Sequence, residues 1–446
     1  MKRLIDLTLL LVPALVSLPA SSSQVRTHTA PPGQESGRSR RGGSASVLAE
    51  GKQHGSLLDS YAPVVTPNGV TLPFKLDHGV KVFHLIAEPV KRELAPGMVI
   101  NAWGYNGQSP GPTIEAVEGD RVRILVTNHL PEDTSAHWHG VLLPNGMDGV
   151  QGLNQPHIKP GETFVYEFTL RQSGTQMYHP HADETVQMAL GMEGFFIIHP
   201  RHEPRRIDRD FAIFLHEWDV PFGAATPNPA TMTDFNLFSF NGRVYPGTAP
   251  LVARQGQRVR VRIANLSMDS HPIHLHGVHF VETGTDGGPT PLSAQIPETT
   301  VNVPPGSTRD IEFIADAPGD WALHCHKNHH TMNQMAHDVP NLTGVDQAGV
   351  EEKVRDLLPG YMAMGQNGMG DMMAMGQPRN TLPMMGGEGQ FGSIDMGGMF
   401  TVFKVRAGIK SYEDPGPYEY PAGTVAHKVA DDPGNDPAND PEMKGQ

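Results

Sequence analysis

Cysteine is almost missing from this chain: one residue, Cys325, in 446. No intrachain disulfide can form, so the fold cannot rest on a cystine framework. Tyrosine and tryptophan are scarce as well, with 9 Tyr and 4 Trp. Positive charge is also short, 34 Lys and Arg against 48 Asp and Glu, for a formal charge of −14. That balance argues against a nucleic-acid partner. Part of it belongs to the tail Ser411–Gln446, whose eight acids and two lysines carry −6 of the −14. Long apolar runs are missing too; none reaches the ~18 residues of a membrane span. The one apolar stretch near the start, Leu7 to Leu18, follows Lys2 and Arg3, is interrupted by Thr8 and Pro13, and leads to Ala20. This layout predicts a signal peptide over residues 1–20 and a protein exported to the periplasm or outside the cell.

What the chain has in quantity is glycine (49) and proline (40). Together they disfavour a helical bundle and suit short strands joined by tight turns. Residues 21–61, rich in Ser, Gly, Pro and Arg, read as a disordered leader. Alternating runs then follow at Lys81–Ala87, Arg121–Asn128, Phe164–Leu170 and Phe195–His199, and after a polar linker at Phe211–Leu215, Arg258–Asn265, Thr299–Val303, Asp310–Ile314 and Trp321–His324. The two sets share a phrase. Gly119 and Gly256 each open a turn, a strand ending in Asn128 or Asn265 follows, and a His-x-His comes next. That spacing predicts an internal duplication: an all-β chain with domains at 62–200 and 201–410 and a disordered acidic tail at 411–446.

Four His-x-His pairs stand in the sequence: His137/His139, His179/His181, His274/His276 and His324/His326. Chance gives about one such pair at this histidine content. Residues i and i+2 of a strand share a face, so each pair can aim two imidazoles into one cavity, and neutral imidazole is a ligand for copper, zinc or iron. Parity separates a second site. Cys325 faces away from His324 and His326, and His271 has the opposite parity to His274 and His276. His330 and Met335 follow Cys325 by five and ten residues, within reach of a returning loop. Two histidines, a thiolate and a distant thioether form the ligand set of a blue-copper electron-transfer site. A structural zinc site would use paired cysteines, and there are none.

With these motifs in order (His137-Trp138-His139-Gly140, His179-Pro180-His181, His271-Pro272-Ile273-His274-Leu275-His276-Gly277 and His324-Cys325-His326 with His330 and Met335) the sequence resembles the multicopper oxidases. The resemblance implies two cupredoxin-like Greek-key β-barrel or sandwich domains and four coppers per functional unit. Type 1 copper would lie on His271, Cys325 and His330 with Met335 axial. Type 2 copper would lie on His137 and His274, and the type 3 pair on His139, His179, His181, His276, His324 and His326. His329 competes with His330, and the family spacing favours His330. Asp148 and Glu298 match carboxylates that deliver protons. Thr331, where the family often carries a further acid, is a departure that leaves the proton route less defined.

No spacer domain fits between the halves, and the first half has no cysteine. This is similar to the two-domain, small-laccase type, which closes a homotrimer with trinuclear clusters between subunits. The implied reaction couples four one-electron oxidations of a reductant (Cu(I) or another metal ion, a phenol, an aromatic amine) to reduction of O2 to water. Two alternatives remain at this level: a copper nitrite reductase-like enzyme and a non-catalytic copper-sequestration protein. An insertion over 336–398 is rich in methionine, including Met362, Met364, Met369, Met372, Met373 and Met375, embedded in glycine rather than in Leu, Ile or Phe. Thioether prefers Cu(I). The stretch therefore reads as a Cu(I)-collecting flap, as in the Met-rich cuprous oxidases it resembles, with a role in copper tolerance.

Overall fold

Both shared phrases form the strands read from them. In the computed structural model, which describes residues 61–332, 356–357, 380, 382 and 387–428, the strands run Arg121–Asn128 and Arg258–Asn265. Their preceding turns carry Gly119 at φ 91° and Gly256 at φ 86°, a left-handed conformation that favours glycine. The closing asparagines do the same work twice. Asn128 donates to the carbonyls of Glu132 and Ile158 and accepts the N–H of Leu130; Asn265 donates to those of Asp269 and Val303 and accepts the N–H of Ser267. Each buried amide thus pins the corner from which the chain turns toward the next His-x-His.

The described residues are all-β apart from short helical turns. The first domain packs a sheet in the order Lys75–Asp77, Val80–Ala95, Arg121–Asn128, Thr163–Thr169 over a three-stranded sheet of Ile114–Val117, Gly194–His199 and Gly174–Tyr178. Their core holds Phe83, Ile124, Trp138, Tyr178 and Phe196. The second domain sets a larger sheet containing Arg209–Trp218, Arg258–Asn265 and Ser307–Ile314 against a five-stranded one of Leu251–Arg254, Phe400–Arg406, Gly319–Cys325, His271–Leu275 and Thr300–Val303. Cys325 belongs to that second core.

Three boundaries differ from the sequence reading. Val64–Val65, expected in the first domain, pairs with Asp210 and Phe211 at the edge of the second domain's sheet. Val80–Ala95 is twice the expected length, because it changes partner at Ala87: its first half pairs with Arg121–Asn128 and its second with Met98–Tyr105. The second half joins a separate apolar cluster in which Val90, Leu94 and Ile100 meet Trp218, Val220 and Leu237 of the second domain. The acidic tail, expected to be disordered from Ser411, is held at its start. Asp414 pairs with Lys404, and Asp320 takes both the Arg406 guanidinium and the N–H of Tyr418. Residues 1–20 and nearly all of the 21–61 leader lie outside the described residues. Among the described residues no helix is long and apolar enough to cross a membrane.

Candidate metal centre

Adjacent antiparallel strands put the first site together. His271 opens one strand and Cys325 closes its neighbour, with Ile273 opposite Cys325 and His274 opposite His324. Alternation then sends His271 and Cys325 into the core and the His-x-His pairs to the other face. A 3-10 turn at Asn328–Thr331 returns His330 to the same place. All three side chains are fully buried. The two Nδ1 atoms are 3.0 Å apart, and Cys325 Sγ is 3.8 Å from His271 Nδ1 and 3.6 Å from His330 Nδ1.

The surroundings leave a lone pair on His271 Nδ1. The Ser267 hydroxyl donates to Asn265, so its oxygen accepts from His271 Nε2 at 2.8 Å, and Glu217 Oε1 lies 3.3 Å from the same nitrogen. The proton is therefore on Nε2, and Nδ1 faces the sulfur. Phe238 stacks on His330 with centroids 3.9 Å apart. Burial pushes the Cys325 thiol up to about 12. A soft cation touching all three donors can displace that proton, which is the donor chemistry of copper. His329 is exposed and stands edge-on to Phe238, outside the three-donor group.

The His-x-His pairs form two half-sites. In the first domain His137 and His179 exchange backbone hydrogen bonds, and the ring nitrogens of His137, His139 and His179 lie within 4.8 Å of one another. His139 Nδ1 is 3.2 Å from His179 Nε2. His181 stands beside them, its ring 5.5 Å from that of His137. In the second domain His274, His276 and His324 form the matching group, with 3.2 Å between His276 Nε2 and His324 Nε2 and with the His326 ring 5.5 Å from His274.

Backbone carbonyls fix the tautomers. His137 Nδ1 donates to Asp148 O, His139 Nε2 to Gly306 O, His179 Nδ1 to Pro180 O, His274 Nδ1 to Thr299 O and His324 Nδ1 to Cys325 O, all at 2.7–3.0 Å. Each ring keeps its other nitrogen for a ligand. Burial, reinforced by neighbouring imidazoles, lowers the pKa of His139, His276 and His324 and takes His179 to about 3. These rings are neutral where a metal needs them neutral.

Asp148 lies beside His137, with Oδ1 3.5 Å from its Nδ1. Glu298 is half-buried opposite Phe280, where its charge contributes to raising the pKa of Glu282, and the carbonyl of the adjacent Thr299 accepts from His274 Nδ1. Met335 and the six methionines Met362, Met364, Met369, Met372, Met373 and Met375 lie outside the described residues. Glu217, Ser267, Asp269 and Phe238 were missed from sequence. The available signal was Glu217, a buried acid next to the end of the largely apolar strand Arg209–Trp218.

Two family profiles described as multicopper oxidase match residues 88–203 and 221–344, together more than half of the chain. This chain belongs to the multicopper oxidase family. Like other members it is an oxidoreductase, and the family binds copper. Its multicopper oxidase fold is similar to that of the blue copper oxidase from Nitrosomonas europaea, with TM-score 0.54 and 25% identity over 73% of this chain and 85% of that one. Among curated relatives, it is 28% identical over 264 residues to a probable nitrite reductase-hydroxylamine oxidoreductase fusion protein of Kuenenia stuttgartiensis, covering 56% of this chain and 30% of that protein. It is 44% identical over 114 residues to copper resistance protein A of Escherichia coli, covering 25% and 18%. The chain spans less than half the length of these curated relatives.

Proposed function

We propose that this multicopper oxidase takes single electrons from a reductant at a type 1 copper on His271, Cys325 and His330, with Met335 axial, and passes them to a trinuclear cluster on the eight His-x-His histidines. Bound copper would supply the one-electron exchange and the four-electron reduction of O2 to water. The observation that carries this reading is the position of Cys325. Its sulfur faces His271 and His330, and the residues on either side of it in the chain, His324 and His326, face the cluster half-site. The backbone joins the two sites by the shortest covalent path available. Asp148, against His137, and Glu298, beside the Thr299 carbonyl that holds His274, are the proposed proton carriers at the cluster.

The ligand groups support assembly between copies. Each three-donor histidine group comes from one domain alone, and type 3 ligands are divided between the two halves. A second domain facing the first domain of a neighbouring chain would complete the set, and three such contacts close a ring. We further propose export, which the apolar start supports, and a role in copper tolerance, which the copper resistance relative supports.

The name of the Kuenenia relative favours one second reading, nitrite reduction. That chemistry needs three histidines at the catalytic copper and a type 1 site in the first domain; here the only thiolate is in the second. The copper-loaded protein, bleached by an organic reductant without air, should regain its blue colour with O2 and not with nitrite. Recovery with nitrite alone would support the second reading, and recovery with neither would support copper storage.

The methionine-rich stretch is proposed to collect Cu(I), on its composition. Of its neighbours, Met399 is fully buried in the second domain's core and Met396 is half-buried. The segment's far end is anchored, with Asn380 bonded to Val99 and Ala224 and Leu382 buried against the Trp218 cluster. Deletion of Tyr361–Gly376 spares those anchors. It should lower cuprous oxidation several-fold and raise turnover of bulky phenols; unchanged cuprous kinetics at full copper loading would reject this role.

A further inference from the structure

We propose that the cleft between the two domains is a binding site for a small organic cation, an ammonium or amidinium group carried on a compact apolar body. The cleft is a cavity of about 570 Å³, a volume suited to one small molecule. The first domain contributes Ile198, the linker contributes Pro200 and Arg205, and the second domain supplies the floor and the far wall. Among the described residues no histidine or cysteine lines it, so the site stands apart from the metal centres.

Charge at the floor sets the sign of the ligand. Two buried arginines of the strand Arg258–Asn265 stand there among four carboxylates. Arg260 pairs with Glu203, Asp210 and Glu312, and Arg262 pairs with Asp210 and Asp310. Two positive charges among four negative ones leave the cluster acidic. Glu312 shows where the surplus lies. Its side chain is 4% exposed; Oε1 accepts from Arg260 Nε and Nη2, and Oε2 accepts no hydrogen bond. The next cation, Arg258, stands 3.9 Å from Oε2, beyond hydrogen-bond distance, and is itself a third exposed. A buried carboxylate oxygen without a donor is costly. Thr290, also in the cavity wall, repeats the pattern. Its N–H and carbonyl are bonded to Thr283 and Gln295, while its Oγ1 is buried without a partner.

An ammonium or amidinium has N–H groups for both oxygens. A metal ion would need several free oxygens, and the arginines already hold most of those on the other carboxylates. A neutral ring would leave Glu312 Oε2 unsatisfied. The walls set the body of the ligand: Ile198, Pro200, Pro291 and Leu292 are apolar, and the prolines restrain the backbone that carries them. Leu292 is 71% exposed, an apolar surface that a bound ring would cover. Because both domains line the cleft, an occupant ties them together and stabilises the folded chain in step with its binding.

The test titrates the copper-loaded full chain with benzamidine, a planar cation on a ring, and with benzamide, its neutral counterpart, by calorimetry and thermal unfolding. Benzamidine should bind at one equivalent per chain and raise the unfolding midpoint by a few degrees at saturation. Benzamide should bind at least tenfold more weakly. Glu312→Gln should remove that preference, and Leu292→Ser, a change at an exposed position, should weaken benzamidine several-fold. Arg205→Met takes a like charge out of the wall and should tighten benzamidine several-fold, a gain that damage to the fold cannot produce. Equal affinity for the two compounds, benzamidine binding unaltered in all three variants, or no saturable binding at millimolar concentrations would overturn the site.

Discussion

Cys325→Ser should abolish the intense blue absorption and cut oxidase turnover by at least about two orders of magnitude, with copper on the eight cluster histidines largely retained. Sulfur is the only soft anionic donor in a site whose other described ligands are two neutral imidazoles. A serine hydroxyl in the same position keeps its proton and leaves the metal without the thiolate. The side chain is nearly the same size, so the surrounding core of Ile273, Leu323 and Phe403 stays packed. Burying the hydroxyl there costs about 1–3 kcal/mol, which a two-domain protein can lose without unfolding. Absorption, copper content and turnover on one sample give the result. A variant that stays blue, or turns over near the parent rate, would refute the assignment.

The second large effect comes from mixing two inactive chains. His139→Ala disables the first-domain half-site, and His276→Ala the second-domain half-site. Each variant alone should be inactive. Where clusters form between copies, a ring containing both kinds has one contact at which two undamaged halves meet. With random assembly about three-quarters of trimers are mixed, and each has one good contact in three, so co-assembled chains should recover about a quarter of the parent activity. A chain that completes its cluster internally would recover none, because every copy carries a lesion. The recovery should disappear on dilution to monomers in a sedimentation experiment.

Local pattern carried much of the fold and of the ligand set. Arg121–Asn128 and Arg258–Asn265 were readable end to end because a glycine turn, strict alternation and a capping asparagine all act within about a dozen residues. The parity argument for Cys325 and His271 is equally local, since it needs only the two-residue repeat of a strand. Misreadings arose where partners are distant. Pro89 makes Val80–Ala95 look broken, yet it sits where the strand has left Arg121–Asn128 and pairs with Met98–Tyr105, away from the sheet's central ladder. Glu217 precedes His271 by more than fifty residues, and only the packing of Arg209–Trp218 beside Arg258–Asn265 brings it to the copper ligand.

The measurement closest to the central claim is the electron count at O2. With the copper-loaded full chain and a one-electron donor in excess, donor oxidation and O2 uptake are followed together while free peroxide is assayed. Water as the product requires a donor-to-O2 ratio near four with no accumulating peroxide, and a fall of both rates together in Cys325→Ser. A ratio near two with peroxide released, or donor oxidation without O2 uptake, would contradict an oxidase in which Cys325 feeds a trinuclear cluster.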